Sequence, residues 1–211
     1  MSTLHATDLT LPVGNDSSES IANELAFQGY SIRHNLIPRP LLLALSQHAK
    51  TMHDGLFHQA GVGREASHTV NQFVRSDSIK WIEDECLVTH QWLEWAEELK
   101  SSLNRHAFLG LQSFESHFAH YAPGAFYKPH VDAFKGQTNR KISLVTYLNE
   151  GWLQQDGGQL RLHLEQGPLD ISPMLGTVVC FLSEEIVHEV LPATRDRYSI
   201  AGWFRQGTLL G

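Results

Sequence analysis

Arg197-Tyr198-Ser199-Ile200-Ala201-Gly202-Trp203-Phe204 is a run of β-branched, aromatic and small residues of the kind that lies buried in a sheet. It is the last of a series. From Gly110 onward the apolar residues recur with a period of two, as they do where successive side chains alternate between the faces of a strand. The alternation predicts strands near 113–122, 126–132, 141–148, 159–165, 168–172, 176–182, 187–191 and 197–205. Gly136, Gly151, Gly157-Gly158, Gly167-Pro168, Gly176 and Pro192 punctuate them. Short strands in this number, following helices, predict an α+β fold: a two-sheet jelly roll (double-stranded β-helix) with N-terminal helices packed on the outside of one sheet.

The helices are read upstream of Gly110. Trp92, Trp95, Ala96, Leu99, Leu103 and Ala107 recur at helical spacing, with Glu94, Glu97, Glu98 and Lys100 on the opposite side. Pro38 and Pro40 suit the start of an earlier helix carrying Leu41, Leu45, His48 and Met52. Asp16-x-x-Glu19 has the form of a capping box, opening a short helix through Ile21, Ala22 and Leu25 that Gly29 ends. Tyr30-Ser31-Ile32-Arg33 reads as a strand. Residues 1–15 read as a flexible tail, and residues 54–74, with Gly55, Gly61 and Gly63, as a long loop.

A chain of 211 residues is expected to form one domain, 1–211, with the jelly roll proper over about 113–205. Its 42% apolar and 18% charged residues exclude a disordered chain. The net charge of −7 argues against a general nucleic-acid binder. No apolar run approaches the ~20 residues of a membrane span. Residues 1–14 lack the pattern of a signal peptide. Cys86 and Cys180 stand far apart without metal spacing and read as reduced thiols, so a cytoplasmic protein is expected.

One constellation carries chemistry. In His130-Val131-Asp132, residues i and i+2 of a strand point to the same side, so both side chains can reach one metal ion. His188 lies several strands downstream, and Arg197 nine residues further on. Two imidazoles and one carboxylate are the facial ligand set of non-heme Fe(II) oxygenases, and the absence of thiolates favours Fe(II) over structural zinc. With 13 histidines in the chain, a structural role is open for each one singly. His48, His53 and His58 are not read as ligands, because nothing nearby completes a set.

Several further stretches occur in a telling order: Val74-Arg75-Ser76-Asp77-Ser78-Ile79-Lys80-Trp81-Ile82, Tyr121-Ala122-Pro123-Gly124, Tyr147-Leu148-Asn149, Gly157-Gly158-Gln159-Leu160-Arg161, and His188-Glu189-Val190-Leu191-Pro192. With the triad and Arg197-Tyr198, the chain resembles the 2-oxoglutarate- and Fe(II)-dependent oxygenases over roughly Met52 to Arg205. The resemblance is specifically to prolyl hydroxylases of the hypoxia-sensing type and their bacterial relatives.

The resemblance implies Fe(II), 2-oxoglutarate and O2 as cofactors, with ascorbate in support, and succinate and CO2 as products. It implies His130, Asp132 and His188 as ligands and Arg197 as the fork that holds the far carboxylate of 2-oxoglutarate, with Arg195 and Arg205 as competitors for that place. Ser199 points the same way as Arg197, though relatives often lack a hydroxyl there. Tyr121 and Tyr147 match tyrosines that contact 2-oxoglutarate, and an aromatic-core role is equally open to them. The 54–74 loop matches a lid over the substrate peptide. Asp77 and Arg140 match positions at the substrate entrance and are expected to touch, and Trp203 is expected to line the mouth or simply pack.

The expected reaction is prolyl 4-hydroxylation of a protein, with elongation factor Tu as the substrate implied by bacterial relatives. No nucleic acid or membrane partner is expected. The same core acting on a free amino acid, a small metabolite or an alkylated base is the alternative, followed by a non-catalytic binding module. Trp203 stands where base-demethylating relatives carry a second arginine, which disfavours the base.

Overall fold

The computed structural model describes residues 15–52, 57–59, 74–133 and 139–207. The expected tail and most of the expected lid, together with the Asp16 side chain of the expected capping box, lie outside them. The described residues contain three α-helices, α1 (Asn15–Gln28), α2 (Arg39–Thr51) and α3 (Leu87–Ala107). Each begins or ends for a local reason. Pro40 falls in the first turn of α2, where its missing N–H has no intrahelical acceptor to lose. The Thr89 hydroxyl reaches back to the Cys86 N–H (3.1 Å) at the start of α3. Gly29 ends α1 at φ +80°, where an added Cβ would meet Ile186 Cδ1 at 3.2 Å.

The strands are β1 (Tyr30–His34), β2 (His58–Gln59), β3 (Ser78–Trp81), β4 (Leu111–Tyr121), β5 (Tyr127–His130), β6 (Arg140–Tyr147), β7 (Leu160–Leu164), β8 (Gly167–Ile171), β9 (Thr177–Leu182), β10 (Val187–Val190) and β11 (Arg197–Gln206). They form a seven-stranded major sheet, β1-β9-β6-β11-β4-β3-β2, and a four-stranded minor sheet, β5-β10-β7-β8. Every ladder between them is antiparallel. This is the expected double-stranded β-helix. No described helix is long and apolar enough to cross a membrane.

Strand parity divides the core in two. Ile200 and Phe204 of β11, Phe118 of β4 and Ile142 and Leu144 of β6 face the helices, where they pack with Leu41, Leu45, Trp92, Trp95 and Leu99. Trp92 and Trp95 stack at 5.2 Å, and truncating either to alanine would cost about 3–5 kcal/mol. Between the sheets lies a smaller cluster containing Ala119, Tyr121, Tyr147, Leu160, Leu162, Val179 and Phe181. The helices thus stabilise one face of the major sheet and leave the other for the site.

The strands expected after Gly110 appear within one or two residues of their expected bounds. β3 was not anticipated. Ser78-Ile79-Lys80-Trp81 shows no alternation, because neither of its faces is fully covered. The residues just before it join the other sheet. The Ser76 N–H donates to Phe126 O (3.1 Å) and the Lys128 N–H to Val74 O (2.9 Å), with Arg75 bridged to Tyr127. One segment, Val74 to Trp81, therefore ties β5 of the minor sheet to β4 of the major sheet.

Candidate active site

His130 and His188 are direct partners across the β5–β10 ladder, with ring centroids 4.2 Å apart. Their Nδ1 atoms lie 2.8 Å from Lys128 O and 3.1 Å from Ile186 O. A carbonyl only accepts, so both rings carry a proton on Nδ1, which leaves Nε2 as the ligand atom. Both Nε2 atoms point at Asp132, at 3.6 Å from Oδ1 for His130 and 3.7 Å from Oδ2 for His188. One ligand atom from each of the three residues lies within 4.8 Å of the others. The expected triad is thus brought together, for a slightly different reason. β5 ends at His130, so Asp132 stands beyond the ladder in a bend. Ser143 of β6 holds it there, donating from Oγ to Oδ2 at 2.6 Å. Ser143 in turn lies 2.9 Å from Ser183 Oγ.

The electrostatics suit a cation. Burial disfavours the Asp132 carboxylate, but the two histidines and the Ser143 hydroxyl outweigh it and hold the carboxyl far below its ordinary range. Burial lowers His188 to about 4, so this imidazole stays neutral and available as a donor. Tyr127 lies flat on His130 (3.5 Å, 18°) and Phe181 packs on His188 (4.6 Å), fixing both rings. Two imidazoles and a carboxylate, with the outer ring nitrogens already committed, fit a divalent transition metal such as Fe(II).

Arg197 opens β11 and is only 2% exposed. Its Nε donates to Gly158 O (2.8 Å) and its Nη1 lies 3.5 Å from Ser199 Oγ. The guanidinium sits over the rings of Tyr121 (4.9 Å) and Tyr147 (5.1 Å). No carboxylate among the described residues pairs with it. The fully buried Tyr147 hydroxyl stands beside it without a well-formed hydrogen bond. Burial raises Tyr147 to about 12 and Tyr121 well above its usual value, so both remain protonated donors. A buried cation and an unpaired hydroxyl fit the carboxylate of a dicarboxylic acid. The competing arginines are spoken for: Arg195 lies over Trp152 near the surface, and Arg205 pairs with Glu115.

Gly158 makes this approach possible. At φ +70°, an added Cβ would fall 2.9 Å from Ala193 Cβ and 3.2 Å from Arg197 Cδ. At the other end of β11, Trp203 lies opposite Ser143 on one side and Glu115 on the other. The expected Asp77–Arg140 contact is not formed. Asp77, fully buried, pairs instead with Arg75 two residues away (2.6 Å), since residues i and i+2 of the extended segment leading into β3 lie on one side of it. Arg140 pairs with Glu115 across the sheet (2.8 Å) and stacks on Trp203 at 3.6 Å.

Ser143, Glu115, Tyr127 and Gly158 are parts of this arrangement to which the sequence reading gave no site role. For Ser143 a signal existed, since it shares strand parity with Tyr147 on β6. For Glu115 and Tyr127 nothing local marks the partner.

Comparison with known proteins agrees. The model of the 2OG-Fe(II) oxygenase superfamily matches residues 116–205. A prolyl-4-hydroxylase from Pseudomonas putida is 39% identical with a TM-score of 0.82, over 90% of this chain and 99% of that one. A prolyl hydroxylase from Trichoplax adhaerens, solved with a hypoxia inducible factor peptide fragment, is 27% identical with a TM-score of 0.83, over 91% and 90% of the two chains. The hypoxia-inducible factor prolyl hydroxylase of Caenorhabditis elegans is 39% identical over 85 residues, 38% of this chain and 12% of that much longer relative. Ligand set, fold and full-length likeness coincide, and the chain belongs to the 2OG-Fe(II) oxygenase superfamily.

Proposed function

We propose that the protein is a 2-oxoglutarate- and Fe(II)-dependent hydroxylase of a prolyl residue in a protein substrate, of the prolyl 4-hydroxylase type. The observation that carries this reading is the buried Arg197, unmatched by any described carboxylate, in the same between-sheet space as the His130, Asp132 and His188 cluster. The full-length likeness to prolyl 4-hydroxylases supports the choice of substrate class.

In this reading His130, Asp132 and His188 hold the metal. Arg197 receives the far carboxylate of 2-oxoglutarate, with Tyr147 and Ser199 donating beside it and Tyr121 closing the pocket under the guanidinium. When bound, Fe(II) and 2-oxoglutarate supply O2-dependent hydroxylation coupled to release of succinate and CO2, with ascorbate in support. The chain's own work is positioning. Tyr127 and Phe181 keep the imidazoles oriented, and the aromatic surroundings exclude water. Trp203, Arg140 and Asp77 shape the entrance. The two unpaired cysteines agree with a cytoplasmic substrate, for which elongation factor Tu is the candidate that bacterial relatives suggest.

The test is an anaerobic titration with Fe(II) and 2-oxoglutarate, followed by O2 and a library of proline-containing peptides read by mass. A gain of one oxygen atom on a proline, lost in His130→Ala and Arg197→Ala, is the expected result. Succinate formation with no proline modified would refute the substrate class. Failure to bind metal or 2-oxoglutarate would refute the reading altogether.

A further inference from the structure

Ser143, Trp203 and Glu115 form a row across three adjacent strands of the major sheet, β6, β11 and β4. Directly opposed residues of antiparallel strands share a face, so all three look into the space between the sheets. The row starts at the metal cluster, because Ser143 donates to Asp132. It ends at a clamp. Glu115 Oε1 accepts from Arg140 Nε (2.9 Å) and its Oε2 from Arg205 Nη1 (2.8 Å). The first contact holds the Arg140 guanidinium over Trp203, its Cζ 3.6 Å from the ring centroid. Asn139 Oδ1 fixes Arg205 from behind, accepting from its Nε at 2.8 Å.

Two features mark the clamp as more than a structural ion pair. It is partly open, with side-chain exposures of 21%, 28% and 26% for Arg140, Arg205 and Glu115. It is also unbalanced, since two guanidiniums share one carboxylate in a chain whose net charge is −7. Among the described residues, neither Nη1 of Arg140 nor Nη2 of Arg205 has a hydrogen-bond partner. Glu115 therefore holds two partly exposed arginines in place and leaves each with one guanidinium nitrogen that no described residue engages.

We propose that Arg140 and Arg205 form a subsite for a carboxylate side chain of the substrate peptide, and that Glu115 is its positioning residue. The proposal rests on the peptide-hydroxylase reading above. Strands lie about 4.8 Å apart, so Glu115 stands roughly 10 Å from Ser143 along the row, and an extended peptide advances about 3.3 Å per residue. The carboxylate is thus expected about three residues from the hydroxylated one.

The experiment uses the full chain with Fe(II), 2-oxoglutarate and a library of synthetic proline peptides. The peptides are made in pairs with Asp or Asn two, three or four residues to either side of the proline. The wild-type protein should prefer Asp over Asn at one of these offsets by about fivefold in kcat/KM at low salt, through KM rather than kcat, and the preference should shrink as salt rises. In Glu115→Gln and in Arg205→Gln the ratio should fall toward one, with melting temperature and 2-oxoglutarate binding as checks on folding.

The Glu115 variant separates two explanations by sign. Removing its charge makes the mouth more positive, so an increased preference for Asp would mean that net charge acts without positioning, and would overturn the role given to Glu115. Prolines hydroxylated with no Asp preference in the wild-type protein would overturn the subsite while leaving the hydroxylase reading intact. No proline hydroxylated in any peptide would overturn both.

Discussion

Ser143→Ala removes one hydroxyl, and its consequences can be worked out. Ser143 is 1% exposed, and its Oγ lies 2.6 Å from Asp132 Oδ2 and 2.9 Å from Ser183 Oγ. The bond to Asp132 is charge-assisted, and losing such a bond costs about 1.5–3 kcal/mol. In a chain of this size that lowers the melting temperature by roughly 3–12 °C. The effect on the metal is separate. Asp132 stands outside the ladder, so Ser143 rather than the sheet sets the direction of its carboxylate. Loss of such an outer partner weakens metal binding by about 10- to 100-fold. The assay is an anaerobic titration with Co(II), followed by its visible absorption, beside thermal melts in chelator. The reasoning is refuted if the melting temperature falls and the Co(II) affinity does not, because Ser143 would then support packing alone.

Other expectations follow from the same contacts. Burial, outweighing the attraction of Asp77, holds His117 at about 4 against an ordinary 6.5. Its folded value is depressed, so its contribution to stability is complete above pH 6.5 and is lost as pH falls toward about 4. The loss is on the order of 3 kcal/mol, and equilibrium unfolding of His117→Gln across this window should show a flatter dependence. Arg197→Lys keeps the charge but gives up the planar fork, and should weaken 2-oxoglutarate by roughly 10- to 100-fold in a calorimetric titration. Gly158→Ala should also weaken 2-oxoglutarate, by displacing Arg197, which its Cβ would approach to 3.2 Å. Asp77→Asn removes the charge from the pair that the buried Asp77 makes with Arg75 and should cost about 1.5–3 kcal/mol in denaturant unfolding.

Much of this molecule was legible in its sequence, for reasons that differ by element. The strands after Gly110 were legible because each has one face between the sheets and the other against the helices, in the major sheet, or toward solvent, in the minor one, so that burial writes a period of two. Arg197 was legible as the start of such a strand, and the structure distinguishes it from Arg195 and Arg205 by what each one touches. β3 was illegible because its residues are half-covered on both faces. The pairing of Asp77 was misread because a charge carries little local sign of its partner: Arg75 lies two residues away in sequence, Arg140 much further, and the extended course of 75–77, which puts Arg75 on the same side as Asp77, was not anticipated. Glu115 was illegible for the same reason, since its importance comes from β11 beside it and β6 beyond that, which are near it in space and not in sequence.

The tether from Ser143 to Asp132 has a consequence for assembly. His130 and His188 face each other within the minor sheet, but their third companion is held from the major sheet. A chain with only the minor sheet formed has both imidazoles and a nearby Asp132 whose carboxylate nothing orients, and it grips a metal ion less tightly. High-affinity binding thus reports that the two halves of the barrel have docked. Iron affinity is in this sense coupled to folding: a redox-active ion is held most tightly when the walls that govern its reactivity are in place.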